Sequence, residues 1–338
     1  MKIIHFIPDD SIGGLQNFCL SLAKAQNFDH NVAVYYFKRN RKLALTQNIA
    51  QQFSLIKYLS ILFARKEIML HTHGNVLSLI GTLCLFNSNV KIVHTVHNEA
   101  KYEAGSKRMK LHSFWFKCKF AYPVVIAESL QADFKDYYGF DAFAYVLNGI
   151  ADDKIYINYK KKSNATFNLL FLGRLDYQKN INLLLKAVNK INNKTLLPIR
   201  LHVAGRDEQV YDQELFDELQ HQNIVLYYGL VEKPAFLFDI CDCICFSSIF
   251  EGLPIAAIEA KLSKLQLLTT DVGGISDIIE PWDILLPNGS GSDTFADGII
   301  AAHSKKELVE ETNIDFSISR VKKEYDRIYD KIMYITNN

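Results

Sequence analysis

Nothing in this 338-residue chain approaches the ~20 consecutive apolar residues that a membrane-spanning helix requires. Met1 to Ile7 reads as a strand and not as a basic segment leading into an apolar one, so the expected location is cytoplasmic. Neither sign of charge is in excess, since 38 Lys and Arg face 37 Asp and Glu. That balance excludes a uniformly basic nucleic-acid binder, and a hydrophobic fraction of 49% excludes a disordered chain. The six cysteines include no Cys-x-x-Cys pair, and no Asp-x-Asp triplet occurs. Cys241, Cys243 and Cys245 alternate along one apparent strand and are expected to be small buried hydrophobes in a reducing compartment.

What is present points to a packed enzyme. The length favours two domains of roughly 150 residues. Apolar runs alternate with helix-like segments throughout, which predicts two parallel sheets covered on both faces. The predicted strands are 3–7, 32–37, 68–72, 91–96, 124–127 and 144–147, then 169–172, 200–204, 224–227, 241–246, 266–269 and 284–286. The polar stretch Ala151 to Thr166, rich in Lys and Asn, interrupts the alternation and is the expected linker.

The most informative segment is Ser247 to Ala260, where an apolar strand is followed by a tight loop and an apolar helix opening. Gly252 permits a sharp turn and Pro254 suits the first helical position. Free amides in the loop formed by Gly252, Leu253 and Pro254 and at the helix opening behind it, Pro254 itself lacking an N–H, would favour a phosphate or polar ligand, with Glu251 and Glu259 placed to receive paired sugar hydroxyls. Glu259 lies in an otherwise apolar segment and therefore needs a partner. In the first loop, Gly13-Gly14 precedes a helix beginning near Leu15, but the G-x-G-x-x-G of a dinucleotide fold is absent. His71, His73, His94 and His97 lie at the ends of two predicted strands. Arg174 and Lys179 follow Gly173 at the end of another and can neutralise a diphosphate without a metal. Lys101 to Phe120 combines Lys101, Lys107, Arg108, Lys110, Lys117 and Lys119 with six large apolar residues and one acid, a composition suited equally to an anionic membrane surface or to a solvated helix with a core face. Lys38-Arg39 and Arg41-Lys42 add a second basic cluster.

Glu251, seven intervening residues and Glu259 resemble the paired-glutamate motif of the family-4 retaining glycosyltransferases, the glycosyl transferases group 1. Gly13-Gly14-Leu15-Gln16, His94-Thr95-Val96-His97, Asn148-Gly149-Ile150, Gly173-Arg174-Leu175 with Lys179, and Gly273-Gly274 match in the same order. The resemblance implies an α/β fold of GT-B type, two Rossmann-like parallel-sheet domains facing a central cleft. Residues 1–150, completed by a C-terminal helix at about 317–338, would form the acceptor-side domain, and 151–316 the nucleotide-sugar domain. It further implies transfer of a hexose-type sugar, with retention, from a nucleotide diphosphate donor, a UDP-sugar in the first instance, to a glycan or lipid-linked glycan of bacterial surface polysaccharide.

In that scheme His97 and Glu251 are catalytic. Gly14, Arg174, Lys179, Glu251, Gly252, Leu253, Pro254 and Glu259 bind the donor, no metal or other cofactor is used, and no nucleic acid is bound. Membrane contact through Lys101 to Phe120 would place the enzyme on the inner face of the plasma membrane. The sequence departs from the family pattern at Lys264 and Gln266, where glycine and proline are usual, and at Asp277, where glutamate is common. A nucleotide-sugar epimerase or another sugar-phosphate enzyme on the same scaffold, and a non-catalytic partner subunit, are the alternative readings.

Overall fold

A computed structural model describes residues 1–11, 13–39, 50–152 and 165–337. The chain divides into two compact units, Met1–Lys154 with Asp315–Asn338, and Ile155–Ile314. In unit 1 the order is β1 (Lys2–Asp9), α1 (Gly14–Gln26), β2 (Asn31–Lys38), β3 (Ala50–Gln52), α2 (Leu55–Leu62), β4 (Ile68–His73), α3 (Leu77–Ile80) and α4 (Leu83–Phe86). Then come β5 (Val90–Val96), α5 (Ala100–Lys117), β6 (Ala121–Val125), α6 (Leu130–Tyr138) and β7 (Ala144–Tyr145). Unit 2 runs β8 (Phe167–Leu172), α7 (Ile181–Lys194), β9 (Ile199–Ala204), α8 (Gln213–His221), β10 (Val225–Tyr227) and α9 (Ala235–Ile240). It continues with β11 (Cys243–Phe246), α10 (Ile255–Leu262), β12 (Gln266–Thr270), β13 (Ile284–Leu286) and α11 (Ser292–Lys305), before α12 (Ile318–Asn337) returns to unit 1.

Both sheets are parallel, ordered β3-β2-β1-β4-β5-β6-β7 and β10-β9-β8-β11-β12-β13 among the described residues. Each winds outward in one direction from its first strand and then restarts on the other side, the doubly wound pattern of Rossmann-like domains. Helices cover both faces of the central strands, so every residue of β4 and β11 is buried, including the polar His71, Thr72 and His73 of β4. α7 places Ile181, Leu184, Leu185, Val188 and Ile191 at helical spacing against Phe167, Leu169, Leu201 and Val203. α12 does the same with Val321, Tyr325, Ile328, Tyr329 and Ile332, which pack with Ile3, Phe18, Leu22, Met69, Val93 and Val124. Truncating a side chain of this kind to alanine typically costs about 2–5 kcal/mol.

The elements differ from expectation in four places. β3 is an additional edge strand, three residues long and mostly exposed, without the apolar alternation that marks a strand. The β6 strand spans Ala121–Val125 and not 124–127; Ile126 and Ala127 are buried beyond its end, where the Ile126 carbonyl accepts from Asn148 N–H at 3.2 Å. Cys241 precedes β11 as the C-cap of α9, so only Cys243 and Cys245 share the strand. All three thiols are buried and free, and burial pushes the Cys241 and Cys243 thiols well above their ordinary value. Pro254 is the N-cap of α10, with extended ψ of 128°, and its carbonyl accepts from Ala257 N–H, so helical geometry begins at Ile255. Residues 153–164 of the expected linker, and Arg41-Lys42, lie outside the described residues.

Candidate functional site

In unit 2 the winding reverses between β8 and β11, and loops at the carboxyl ends of such strands form the ligand crevice of open α/β sheets. Those loops are tied to each other through their backbones. Ile249 N–H donates to the Gln178 carbonyl at 2.9 Å, and Ser247 Oγ to the Lys179 carbonyl at 3.0 Å. Their side chains converge on Glu251. Lys179 Nζ lies 2.5 Å from Glu251 Oε1, Ser248 Oγ donates to the same oxygen at 2.7 Å, and Gln178 Nε2 donates to Oε2 at 3.3 Å. Glu251 is only 5% exposed, and cation, hydroxyl and amide together satisfy its buried carboxyl oxygens.

Arg174 sits differently. Its guanidinium is half-exposed, 2.7 Å from Asp176 Oδ2, and donates to Gln178 Oε1 at 3.2 Å. Gln178 therefore joins Arg174 to Glu251, since its amide nitrogen serves one and its oxygen the other. Asp176 also caps the turn by accepting from Lys179 N–H at 3.0 Å. The two cations expected to face a diphosphate each hold a carboxylate, which a phosphate oxygen would have to displace or share.

The loop after β11 is fixed from below by Gly273. With φ of +60°, its Cβ would lie 2.3 Å from Gly252 O and 2.4 Å from Glu251 O, and Gly274 N–H donates to Gly252 O at 2.6 Å. Only glycine permits that approach. Gly252 and Leu253 are buried, Pro254 is half-buried, and the first amides of α10 have no intrahelical acceptor. Glu259 is half-buried one turn further along, on a helix whose Ala257, Ile258 and Ala260 are buried. Asp277 is half-buried in the short turn Ile275–Ile278.

In unit 1 the reversal falls between β1 and β4. Gly14 opens α1 behind an extended Gly13, and the buried Gln16 ties the preceding loop by donating to Asp9 Oδ1 and Ser11 Oγ, both at 3.0 Å. His97 follows β5 and is half-buried, with Phe18 edge-on to its ring at 5.4 Å. Its Nε2 is 2.9 Å from His73 Nδ1, whose Nε2 in turn is 3.1 Å from His5 Nδ1. His71 bonds to Tyr329 Oη at 2.7 Å and to Thr95 Oγ1 at 2.6 Å; His94 bonds to Thr72 Oγ1 at 2.9 Å. Of the four expected histidines, His97 alone reaches the surface. Burial holds all of these imidazoles well below their ordinary value, with His5 at about 4. Glu103, which accepts from His97 N–H and lies 4.0 Å from His94 Nε2, is pushed up by burial to about 8.

A ligand atom each from His5, Cys19 and His73 lies within 4.8 Å of the others, but a cation there would have to break the His5–His73 bond.

Lys101 to Lys117 of the basic aromatic segment lie in α5, which breaks at Gly105, where φ is +63°, and Cys118 to Phe120 follow the helix. Its three consecutive aromatics divide, with Trp115 and Phe116 buried and Phe114 exposed. Lys107, Arg108, Lys110 and Leu111 are exposed with it. No described helix is long and apolar enough to cross a membrane.

Residues 154–314 match the family model described as Glycosyl transferases group 1. The match spans unit 2 and, Lys154 apart, stops short of unit 1. The fold of both units is GT-B: Anabaena HepE, solved in complex with UDP and glucose, superposes with a TM-score of 0.76 over 98% of this chain and 100% of its own, at 15% identity. An uncharacterized glycosyltransferase of Methanocaldococcus jannaschii is 24% identical over 66% of this chain, which spans 63% of that relative's length. A Campylobacter jejuni relative is 24% identical over 96% of this chain and 97% of its own. Its name is GalNAc-alpha-(1->4)-GalNAc-alpha-(1->3)-diNAcBac-PP-undecaprenol alpha-1,4-N-acetyl-D-galactosaminyltransferase. Gln178, Ser248 and Asp176 are the site residues that sequence reasoning missed. Their one available signal was position, within the loops that carry Lys179 and Glu251.

Proposed function

We propose that this chain is a retaining glycosyltransferase that moves a hexose-type sugar from a UDP-sugar to a lipid-linked glycan in bacterial surface-polysaccharide assembly. The observation that carries this reading is the buried Glu251, held by Lys179 and Ser248 and joined through Gln178 to the half-exposed Arg174, at the β8/β11 reversal of the unit that matches the group 1 family model. Glu251 and the Gly252, Leu253 and Pro254 segment receive the sugar, Glu259 the ribose hydroxyls, and Arg174 and Lys179 the diphosphate. Gly14 and His97 contribute from unit 1. As the bond between the anomeric carbon and the β-phosphate oxygen breaks, negative charge grows on the departing UDP. Fixed cations and helix-terminal amides stabilise it without reorganising. The acceptor hydroxyl attacks from the same face, and its proton passes to a donor phosphate oxygen, so configuration is retained and no metal is required.

A lipid-linked acceptor is supported by the Campylobacter relative, whose name places its acceptor on undecaprenol, and by the surface of unit 1. α2 exposes Leu55, Ile56 and Leu59, followed by Phe63; α4 exposes Leu85 and Phe86; α5 exposes Leu111 and Phe114. Exposed apolar side chains among Lys107, Arg108 and Lys110 suit the interface of an anionic bilayer.

The test is a panel of nucleotide sugars against the full chain by thermal shift, followed by transfer to an undecaprenyl-diphosphate glycan and assignment of the product anomer. One UDP-hexose should raise the unfolding temperature, and the product should keep the donor's anomeric configuration. An inverted product would end the retaining assignment, and no shift with any nucleotide sugar would end the transferase reading. Release of an epimerised donor in the absence of acceptor would favour the epimerase alternative.

A further inference from the structure

Unit 1 contains a line of buried polar groups that glycosyl transfer as written above leaves unused. It starts at α12, crosses the end of α1 and the strands β1 and β4, and ends at His97. Gln26 is fully buried, and its Nε2 donates to Tyr329 Oη at 3.3 Å while its Oε1 lies 2.8 Å from His5 Nε2. His5 Nδ1 then meets His73 Nε2 at 3.1 Å, and His73 Nδ1 meets His97 Nε2 at 2.9 Å. The His5 and His73 rings stack at 5.4 Å. Each contact joins Nδ1 of one ring to Nε2 of the next, so every internal imidazole uses both nitrogens.

An uncharged imidazole has one N–H and one lone pair, which makes such a line directional. Burial keeps His5 and His73 neutral. Gln26 Oε1 can only accept, so His5 carries its hydrogen on Nε2 and offers a lone pair at Nδ1. His73 must then donate from Nε2 and accept at Nδ1, and His97 must donate from Nε2. The remaining nitrogen, His97 Nδ1, has no hydrogen-bond partner among the described residues and is left as a bare acceptor at the open end of the line.

The direction is set at Gln26, where Tyr329 decides which way the amide faces. Tyr329 Oη lies 2.7 Å from His71 Nδ1 and has one hydrogen to give. Donating it to His71 leaves the oxygen to accept from Gln26 Nε2. His71 Nε2–H then points at Thr95 Oγ1, which reaches Tyr325 Oη at 2.7 Å. This arrangement matches every donor and acceptor in the two branches at once, which is the condition for keeping so many polar groups in a core.

We infer that Gln26, His5 and His73 are positioning residues that lock His97 in the Nε2–H tautomer, so that Nδ1 is presented as an acceptor to a hydroxyl of the bound sugar. The identity of that hydroxyl rests on the transferase reading given above, whereas the tautomer does not. A locked ring selects ligands that place a donor, and not an acceptor, at that point.

The experiment is long-range proton–nitrogen NMR on the full chain labelled with 15N-histidine, for wild type, Gln26→Leu and Gln26→Glu. Wild type should show His5, His73 and His97 each as a single Nε2–H tautomer with unprotonated Nδ1. Gln26→Leu removes the accepting end and should leave His97 as an averaged mixture. Gln26→Glu retains an accepting oxygen and should restore the lock.

In parallel, Gln26→Leu should lower kcat on the order of tenfold with the donor KM within twofold, as expected of outer-shell orienting residues, and Gln26→Glu should recover most of the loss. Averaged tautomers or an Nδ1–H His97 in wild type would overturn the inference. So would a locked tautomer whose loss leaves kcat unchanged, and that result would leave transferase activity itself standing. A wild type that transfers no sugar would sink the transferase reading, while the spectra would still decide the tautomer.

Discussion

Lys179 Nζ and Glu251 Oε1 meet at 2.5 Å although 72 positions separate them in the chain. The pair joins the β8 loop to the β11 loop, so it ties the stability of unit 2 to the place where a donor would bind. Glu251→Gln removes the negative partner and leaves a largely covered ammonium with weaker acceptors. Breaking a buried pair costs about 3–5 kcal/mol, and the partial exposure of Lys179 puts the expected loss at the lower end. Urea unfolding of Glu251→Gln and of Glu251→Gln/Lys179→Met should show the double variant recovering part of that loss. No recovery would mean that the pair is not energetically coupled.

Arg174→Ala and Lys179→Ala should each lower kcat/KM by an amount equivalent to ~2–4 kcal/mol, the usual cost of losing one preorganised donor to a developing oxyanion. Activity within twofold of wild type in both would remove them from the diphosphate.

If those two cations and the α10 amides are sufficient for the leaving group, chelation should have no effect. Transfer measured in excess EDTA, with and without added magnesium or manganese, is expected to proceed at one rate. Activity that disappears in EDTA and returns with a divalent ion would contradict the assignment.

Gly273→Ala introduces a Cβ into carbonyl oxygens of Glu251 and Gly252, at a positive φ that already disfavours side chains. The left-handed conformation alone costs roughly 1–2 kcal/mol, and the clash forces the loop to move. A lower melting temperature together with weaker UDP binding in calorimetry is expected. Unchanged UDP affinity would show that this loop does not shape the donor site.

The buried imidazoles predict how stability varies with pH. His5, His71, His73 and His94 have folded values below 6.5, so the unfolded chain binds more protons and stability falls as pH drops through 6.5. Each contributes about 1.4 kcal/mol of loss per pH unit once the unfolded side chain is protonated. Glu103 works in the opposite sense, because its value is raised to about 8 and protonation favours the folded state. Unfolding of the full chain should therefore become easier between pH 7.5 and 5.5, and more steeply so in Glu103→Gln. A flat profile in that variant would contradict neutral burial of the histidines.

Lys107, Arg108 and Lys110 should matter for membrane contact, at on the order of 1 kcal/mol each near an anionic surface. Converting all three to Glu is expected to abolish flotation with phosphatidylglycerol vesicles while leaving UDP binding unchanged. Wild type that fails to float at low salt would favour a water-soluble acceptor.

Much of the fold is legible because the strands are marked by short apolar runs such as Cys243 to Phe246 and helices carry stripes such as Ile181-Leu184-Leu185-Val188. β3 could not be read, since Ala50-Gln51-Gln52 pairs through its backbone and buries little. The site is legible as two loops, through Glu251, Glu259, Arg174 and Lys179. What the loops do to each other is not: Gln178 serving Arg174 and Glu251 at once, and Gly273 pressed under Gly252, are contacts made only when distant strands align. Nor could the line from Gln26 to His97 be foreseen, because His5 and Gln26 carry no local pattern and become partners only once β1, β4 and α1 have packed.

The docking of α12 onto unit 1 also fixes an order of events. Gln26 bonds to Tyr329 across 303 positions, and His71 to the same hydroxyl across 258. A ribosome that has finished residues 1–152 has delivered a sheet whose α12-facing side is still bare and whose His71 and Gln26 still lack the Tyr329 hydroxyl. At ordinary elongation speeds roughly ten to forty seconds pass before residues 318–337 emerge. In that interval unit 2 is made in full, and the first unit to be started is the last to be completed.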